Sequence, residues 1–147
     1  MYRYIVALLL SGMLFGQAWG GAICVTAKWQ GSVLDYEFVY GVEHPFQLQE
    51  KAEALLAEKG YDNFPPGVDI RHAQGQTYLN HGYAVIIEAT YIPGQRKVQK
   101  ERHSIGCGFS NKSFDDALWA AFRDMQTFDW SWKPDRDGYQ VVRKLRY

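Results

Sequence analysis

The feature that most constrains this chain is the run of apolar side chains after Ser113. Phe114, Ala117, Leu118, Ala121, Phe122 and Met125 recur at i, i+3, i+4, i+7, i+8 and i+11. That spacing lines one side of an α-helix and neither side of a strand. Ser113-Phe114-Asp115-Asp116 forms a capping-box pattern at its start, with the Ser113 hydroxyl accepting from the N–H three residues on and Asp116 reaching back. A helix with one apolar side has to be seated on another layer. Trp119 breaks the pattern: at 100° per residue it points about 120° from the centre of the stripe, so it is either covered by a further element or part of a contact surface.

The remaining segments supply the layer. AICVTAKWQGSVLDYEFVYG alternates apolar and polar positions on both sides of Gln30-Gly31-Ser32, with Ile23, Val25, Ala27 and Trp29 on one face, and reads as a β-hairpin. Pro45 suits the first turn of a helix and Gly60 the left-handed position after its end. Between them Leu48, Ala52, Leu55 and Leu56 share a side, while Glu50, Lys51, Glu53 and Glu58 look outward. Pro65-Pro66-Gly67 breaks the chain. Residues 68–73 and 83–92 are rich in β-branched and aromatic side chains and read as strands, the second apolar on both faces and therefore central in a sheet. In KVQKERHSIG, Lys97, Lys100, Glu101 and Arg102 put charge on both faces, as suits an edge strand. TFDWSWKPDRDGYQVVRKL alternates around an Asp-x-Asp-Gly turn, which predicts a terminal hairpin with Trp130 and Trp132 on one face, packed against Trp119.

Together these segments predict an α+β domain. Its core is α-β-β-β-α, an antiparallel sheet with two helices on one face, preceded by one β-hairpin and followed by another. No period of 20 to 50 residues recurs and no linker divides the chain.

The first residues, MYRYIVALLLSGMLFGQAWGGA, have the layout of a secretory signal peptide: Arg3, a short uncharged run from Tyr4 to Phe15, then small residues including Ala18 and Gly20. The run is shorter than the roughly 20 apolar residues of a membrane span. Residues 1–20 are read as the signal and 21–147 as one exported domain, periplasmic or extracellular, with no membrane insertion after cleavage. Cys24 and Cys107 are the chain's two cysteines, and in an oxidising compartment they are expected to pair. The rival reading is a reactive thiol at Cys107, near a helix amino end.

Without residues 1–20 the chain carries fifteen Lys/Arg against sixteen Asp/Glu, a balance that gives no general attraction to nucleic acid or anionic lipid. His72, His81 and His103 come from neighbouring segments, yet no metal-ligand spacing links them, and no metal or other cofactor is expected. Lys133 and Lys144 occupy the first and twelfth places of the segment around Asp135 and Asp137, which excludes an EF-hand loop on charge. No acid/base or nucleophile motif appears.

From Pro45 to Met125 the order helix, three strands, helix, with Gly106, Gly108, Ser110, Lys112, Ala117 and Ala121 at the join into the last helix, resembles double-stranded-RNA-binding domains. The resemblance implies their architecture. It does not extend to RNA, because Asn111 and Asp115 stand at two of the three places where those domains hold phosphates with lysine.

What remains unusual is the aromatic content, 16% of the chain. Trp119, Trp130, Trp132 and Tyr139 are the candidate binding residues, since tyrosine and tryptophan are favoured at interfaces. The sequence thus points to a non-enzymatic binding protein of the cell envelope, acting on a protein partner as an inhibitor or immunity-type protein does. The alternatives are a cell-wall or polysaccharide binder that stacks sugars on exposed tryptophans, and a small hydrolase using a histidine with Cys107 or a carboxylate.

Overall fold

The protein is described by a computed structural model covering residues 20–94 and 100–147. The predicted signal, apart from Gly20, and Lys97 of the predicted charged strand lie outside the described residues. Alternation on either side of Gln30-Gly31 gives β1 (Gly21–Trp29) and β2 (Ser32–Gly41), and the two turn residues have φ of 51° and 78°, as a tight hairpin turn requires. Helix α1 (Pro45–Glu58) follows, with Pro45 in its first turn. His44 caps it: its Nδ1 accepts from the Phe46 N–H, while the His44 N–H donates to Gln47 Oε1. Strands β3 (Asp69–Thr77), β4 (Tyr83–Tyr91) and β5 (Arg102–Ser110) lead into α2 (Phe114–Phe128). Ser113 Oγ accepts the Asp116 N–H at 3.1 Å and so satisfies one of the amino-terminal donors of α2. A four-residue helix α3 (Pro134–Asp137) and strand β6 (Gln140–Arg146) complete the chain.

The strands form two antiparallel three-stranded sheets, ordered β2-β1-β3 and β5-β4-β6. The chain therefore runs the same course twice: a hairpin, a helix, then a strand that pairs with the free side of the hairpin's first strand. The repeat is visible in the two central strands, AICVTAKW at 22–29 and AVIIEATY at 84–91. In each, one parity faces a helix and the other faces the opposite sheet. Ile23, Val25 and Ala27 pack on Leu48, Ala52 and Leu56 of α1, and Val85, Ile87 and Ala89 pack on Ala117, Ala121, Phe122 and Met125 of α2. Ala22, Cys24, Ala84 and Ile86 meet between the sheets with Val33, Phe38, Ile105 and Cys107. The layers run helix, sheet, sheet, helix, and this is why both central strands are apolar on both faces. Each large aliphatic side chain so buried contributes about 1.5–3 kcal/mol relative to exposure.

The sheet arrangement differs from the sequence expectation. A single sheet with both helices on one face is replaced by two sheets, each carrying its own helix, because β3 pairs with β1 instead of β4. The predicted amino-terminal hairpin becomes two strands of the first sheet. The predicted terminal hairpin does not form. Residues 129–139 turn through α3, Gly138 takes a φ of 73°, and β6 alone pairs with β4. Alternation there reflected one deeply buried tryptophan, Trp132, and no strand. The expected positions of the other strands are met: β4 is central and β5 lies at an edge.

One contact locks the two units together and another seats α2 within the second. Cys24 on β1 and Cys107 on β5 form a disulfide across the space between the sheets, with their Cα atoms 6.5 Å apart. For a sequence separation of 83, the chain-entropy model assigns such a link about 4 kcal/mol. On the outer face of β5, Gly106 and Gly108 let α2 approach closely. A Cβ at Gly108 would lie 1.8 Å from the Ala117 carbonyl oxygen, and one at Gly106 would lie 2.3 Å from that of Ala121. The glycines and alanines that carry the resemblance noted above thus form the contact between β5 and α2.

Candidate functional site

The outer face of α2 presents the most distinctive surface. The apolar stripe turns Trp119 away from the sheet, and its ring is 62% exposed. It is nonetheless held, because it meets the Phe122 ring edge to face, with centroids 5.5 Å apart and planes at 90°. Phe122 is fixed in turn by Tyr139 at 4.8 Å and Trp132 at 5.9 Å. Trp132 is fully buried, and its indole N–H donates to the Gly138 carbonyl at 3.0 Å. The segment after α2 therefore anchors the aromatic cluster from behind and leaves Trp119 more exposed than Tyr139, Phe122 or Trp132. Edge-to-face pairs of this kind add about 0.5–1.5 kcal/mol beyond area burial.

Beside Trp119 lies a groove of about 460 Å³ whose wall includes Leu79, Asn111, Lys112, Asp116 and Arg123. Each is placed by local structure. Asp116, Trp119 and Arg123 lie three and four residues apart on α2 and so share its outer side. Asn111 and Lys112 sit in the turn from β5, where Ser110 Oγ accepts the Lys112 N–H at 3.0 Å. The groove combines a flat apolar ring with two cationic donors, an amide and a carboxylate, which suits a ligand having both apolar faces and hydroxyl or acidic groups.

The four aromatic candidates are thus divided. Trp119 and Tyr139 both contact Phe122. Trp130, 68% exposed, stands just past the end of α2 and lacks a ring contact with Trp119 among the described residues. Trp132 is core, packed on Phe122 where the sequence reading placed it on Trp119. The sequence reading missed Arg123 as a site residue, although its position four residues after Trp119 on an amphipathic helix was a legible signal.

A second constellation is a polar seam between the units. Asp124 Oδ2 accepts the Cys107 N–H at 2.7 Å and a Gln74 side-chain N–H at 3.3 Å. Burial, only partly countered by these bonds and by Lys28, raises its carboxyl pKa from 3.8 to about 7. Lys28 Nζ lies 3.0 Å from His72 Nε2 and 4.7 Å from the centre of the Phe128 ring. Burial lowers the Lys28 ammonium against the pull of Asp129 and Asp124, and burial followed by the Lys28 charge lowers His72. Asp129 accepts from Tyr91 Oη at 2.8 Å and from Arg102 at 3.3 Å. These groups pair across the junction of β1, β3, β5 and α2, with the buried Gln74 Oε1 left without a hydrogen-bond partner among the described residues.

The sequence's other candidates for chemistry are dispersed. His81 contacts Asn80 at 2.6 Å, and His103 contacts Glu88 at 3.2 Å and the Val33 carbonyl at 3.0 Å. With His72 on Lys28, the three histidines have separate partners. Among the described residues no group of three or more His, Cys, Asp or Glu could hold a metal ion. Cys107 is bonded to Cys24 and so has no thiol to act as a nucleophile.

No protein-family model, no curated protein and no solved structure matches this chain. Its own geometry has to carry the functional reading. Among the described residues, no helix is long and apolar enough to cross a membrane.

Proposed function

We propose that this protein is a non-catalytic binding module that works outside the cytosol and holds a carbohydrate against Trp119. The observation that carries the reading is a tryptophan ring fixed on Phe122 yet open to solvent, beside a groove that offers donors and acceptors. A sugar presents an apolar C–H face and a rim of hydroxyls, and the groove has a counterpart for each. The buried disulfide fits an oxidising compartment, and the signal-like start supports export. Titration with soluble peptidoglycan fragments tests the reading, with the Trp119 indole N–H followed by NMR. A saturable shift that disappears in Trp119→Ala is expected; no shift at millimolar fragment would sink the proposal.

A second reading, a protein partner, is favoured by a different surface. Val42, Phe46 and Tyr78 are 76%, 62% and 68% exposed around the start of α1, where Val42, His44 and Phe46 share a depression of about 490 Å³. Exposed apolar groups gathered in this way mark interaction sites. Capture of one envelope protein by the wild type but not by Val42→Ser/Phe46→Ser would support it, and equal recovery with both would count against it.

A further inference from the structure

The two units of the fold differ in charge. The first, residues 21–82, carries eight Asp/Glu against four Lys/Arg, whereas the second, residues 83–147, carries eleven Lys/Arg against eight Asp/Glu. In the acidic unit three of the four cations are taken up, and Arg71 has no ion-pair partner among the described residues. Lys51 pairs with Glu43, Lys59 with Asp35 and Glu37, and Lys28 is half-buried in the seam beside His72. In the basic unit Arg102 and Arg136 pair with Asp129 and Asp137, and Lys144 and Arg146 lie over the Phe114 and Tyr83 rings. Lys112 and Arg123 differ from these: among the described residues neither has an ion-pair partner, and both line the Trp119 groove. The carboxylate there, Asp116, lies in the first turn of α2, where the positive end of the helix offsets its charge.

From this we propose that the groove takes a saccharide bearing a negatively charged substituent, a carboxylate or a phosphate, with the sugar ring against Trp119 and the charge held by Lys112 and Arg123. The proposal rests on the carbohydrate reading above and deepens it. A guanidinium and an ammonium on the wall of one groove complement one anion, and charge-assisted hydrogen bonds of this kind are about twice as strong as neutral ones. The near-zero charge of the whole chain does not oppose it, because binding depends on the local field and the two units carry opposite signs.

The test uses the full chain with its disulfide formed. Calorimetric titrations compare tri-N-acetylglucosamine (neutral), trigalacturonate (carboxylated) and glucose 6-phosphate (phosphorylated), each at low and at 0.5 M salt. The expected result is that at least one acidic probe binds about tenfold more tightly than the neutral one at low salt. That advantage should vanish at high salt and in Lys112→Gln/Arg123→Gln, whereas Lys133→Gln, a surface change away from the groove, should retain it. Which acidic probe wins distinguishes a carboxylated from a phosphorylated ligand. Equal binding of neutral and acidic probes would overturn the charge assignment and leave the carbohydrate reading standing. If no probe binds and none shifts the Trp119 indole signal, both fall.

Discussion

Asp124 Oδ2 and the backbone nitrogen of Cys107 are 2.7 Å apart, so a carboxylate from the helix of the second unit caps an N–H on the strand that carries the inter-unit disulfide. The same oxygen accepts from Gln74 of the first unit. One side chain thus touches both halves of the molecule at their covalent link.

This placement makes stability depend on pH in a defined direction. The Asp124 pKa is about 7 in the folded protein against 3.8 as the ordinary value, so between these values the folded state binds the extra proton. Its contribution is fully present below about pH 4 and is lost as pH rises through 7, at most about 4 kcal/mol. Urea unfolding of wild type and Asp124→Asn at pH 5 and pH 8 should show the wild type losing more stability than the variant over that interval. Parallel losses would show that Asp124 titrates as an ordinary acid.

Trp119 and Trp132 should respond oppositely to truncation. Trp132→Ala removes a fully buried indole and is expected to cost about 3–5 kcal/mol, visible as a lower urea midpoint. Trp119→Ala removes an exposed ring whose main packing is one edge-to-face contact, and should cost about 1 kcal/mol while abolishing the response to peptidoglycan fragments. The reverse pattern would place the contact surface elsewhere.

Reducing the disulfide should lower stability without changing the course of the chain. Cys24→Ser/Cys107→Ser is expected to lose about 4 kcal/mol, measured against the oxidised wild type, with far-UV circular dichroism unchanged. Equal stability of the two would mean that the sheets hold the units together unaided.

Gly108→Ala probes the seat of α2. The added Cβ would meet the Ala117 carbonyl at 1.8 Å, and since both groups belong to packed backbone the helix must move. A loss of about 3 kcal/mol or more is expected. Gly94→Ala, where a Cβ meets nothing within 4 Å among the described residues, serves as the control, and a similar loss there would undo the interpretation.

Several of these features were legible from the residues alone. The stripe from Phe114 to Met125 faces the sheet, Ser113 caps α2, Gln30-Gly31 turns the first hairpin, and the doubly apolar run after Tyr83 is a central strand. Each is a local matter of periodicity or of a single backbone requirement. The repeated unit was not read from the sequence: AICVTAKW and AVIIEATY lie farther apart than the 20 to 50 residues that solenoid repeats span, and their equivalence shows only in the strand pairing. The Trp119 groove was half legible: periodicity set the ring outside the stripe, but Asn111 and Lys112 come to it only through the turn after β5.

The sequence by itself determined which faces of each helix and strand are apolar and where elements start, because these follow from spacing along one segment, and which two sulfurs can bond, because the chain has two cysteines. Only the tertiary structure decided that β3 pairs with β1, so that two sheets stack instead of one sheet spreading, that Trp132 goes inside while Trp119 stays out, and that unpaired cations gather beside an exposed ring. Periodicity states that a face must be covered. What covers it depends on pairing between distant segments, where several partners offer comparable hydrophobic gain and the packing of the whole selects among them.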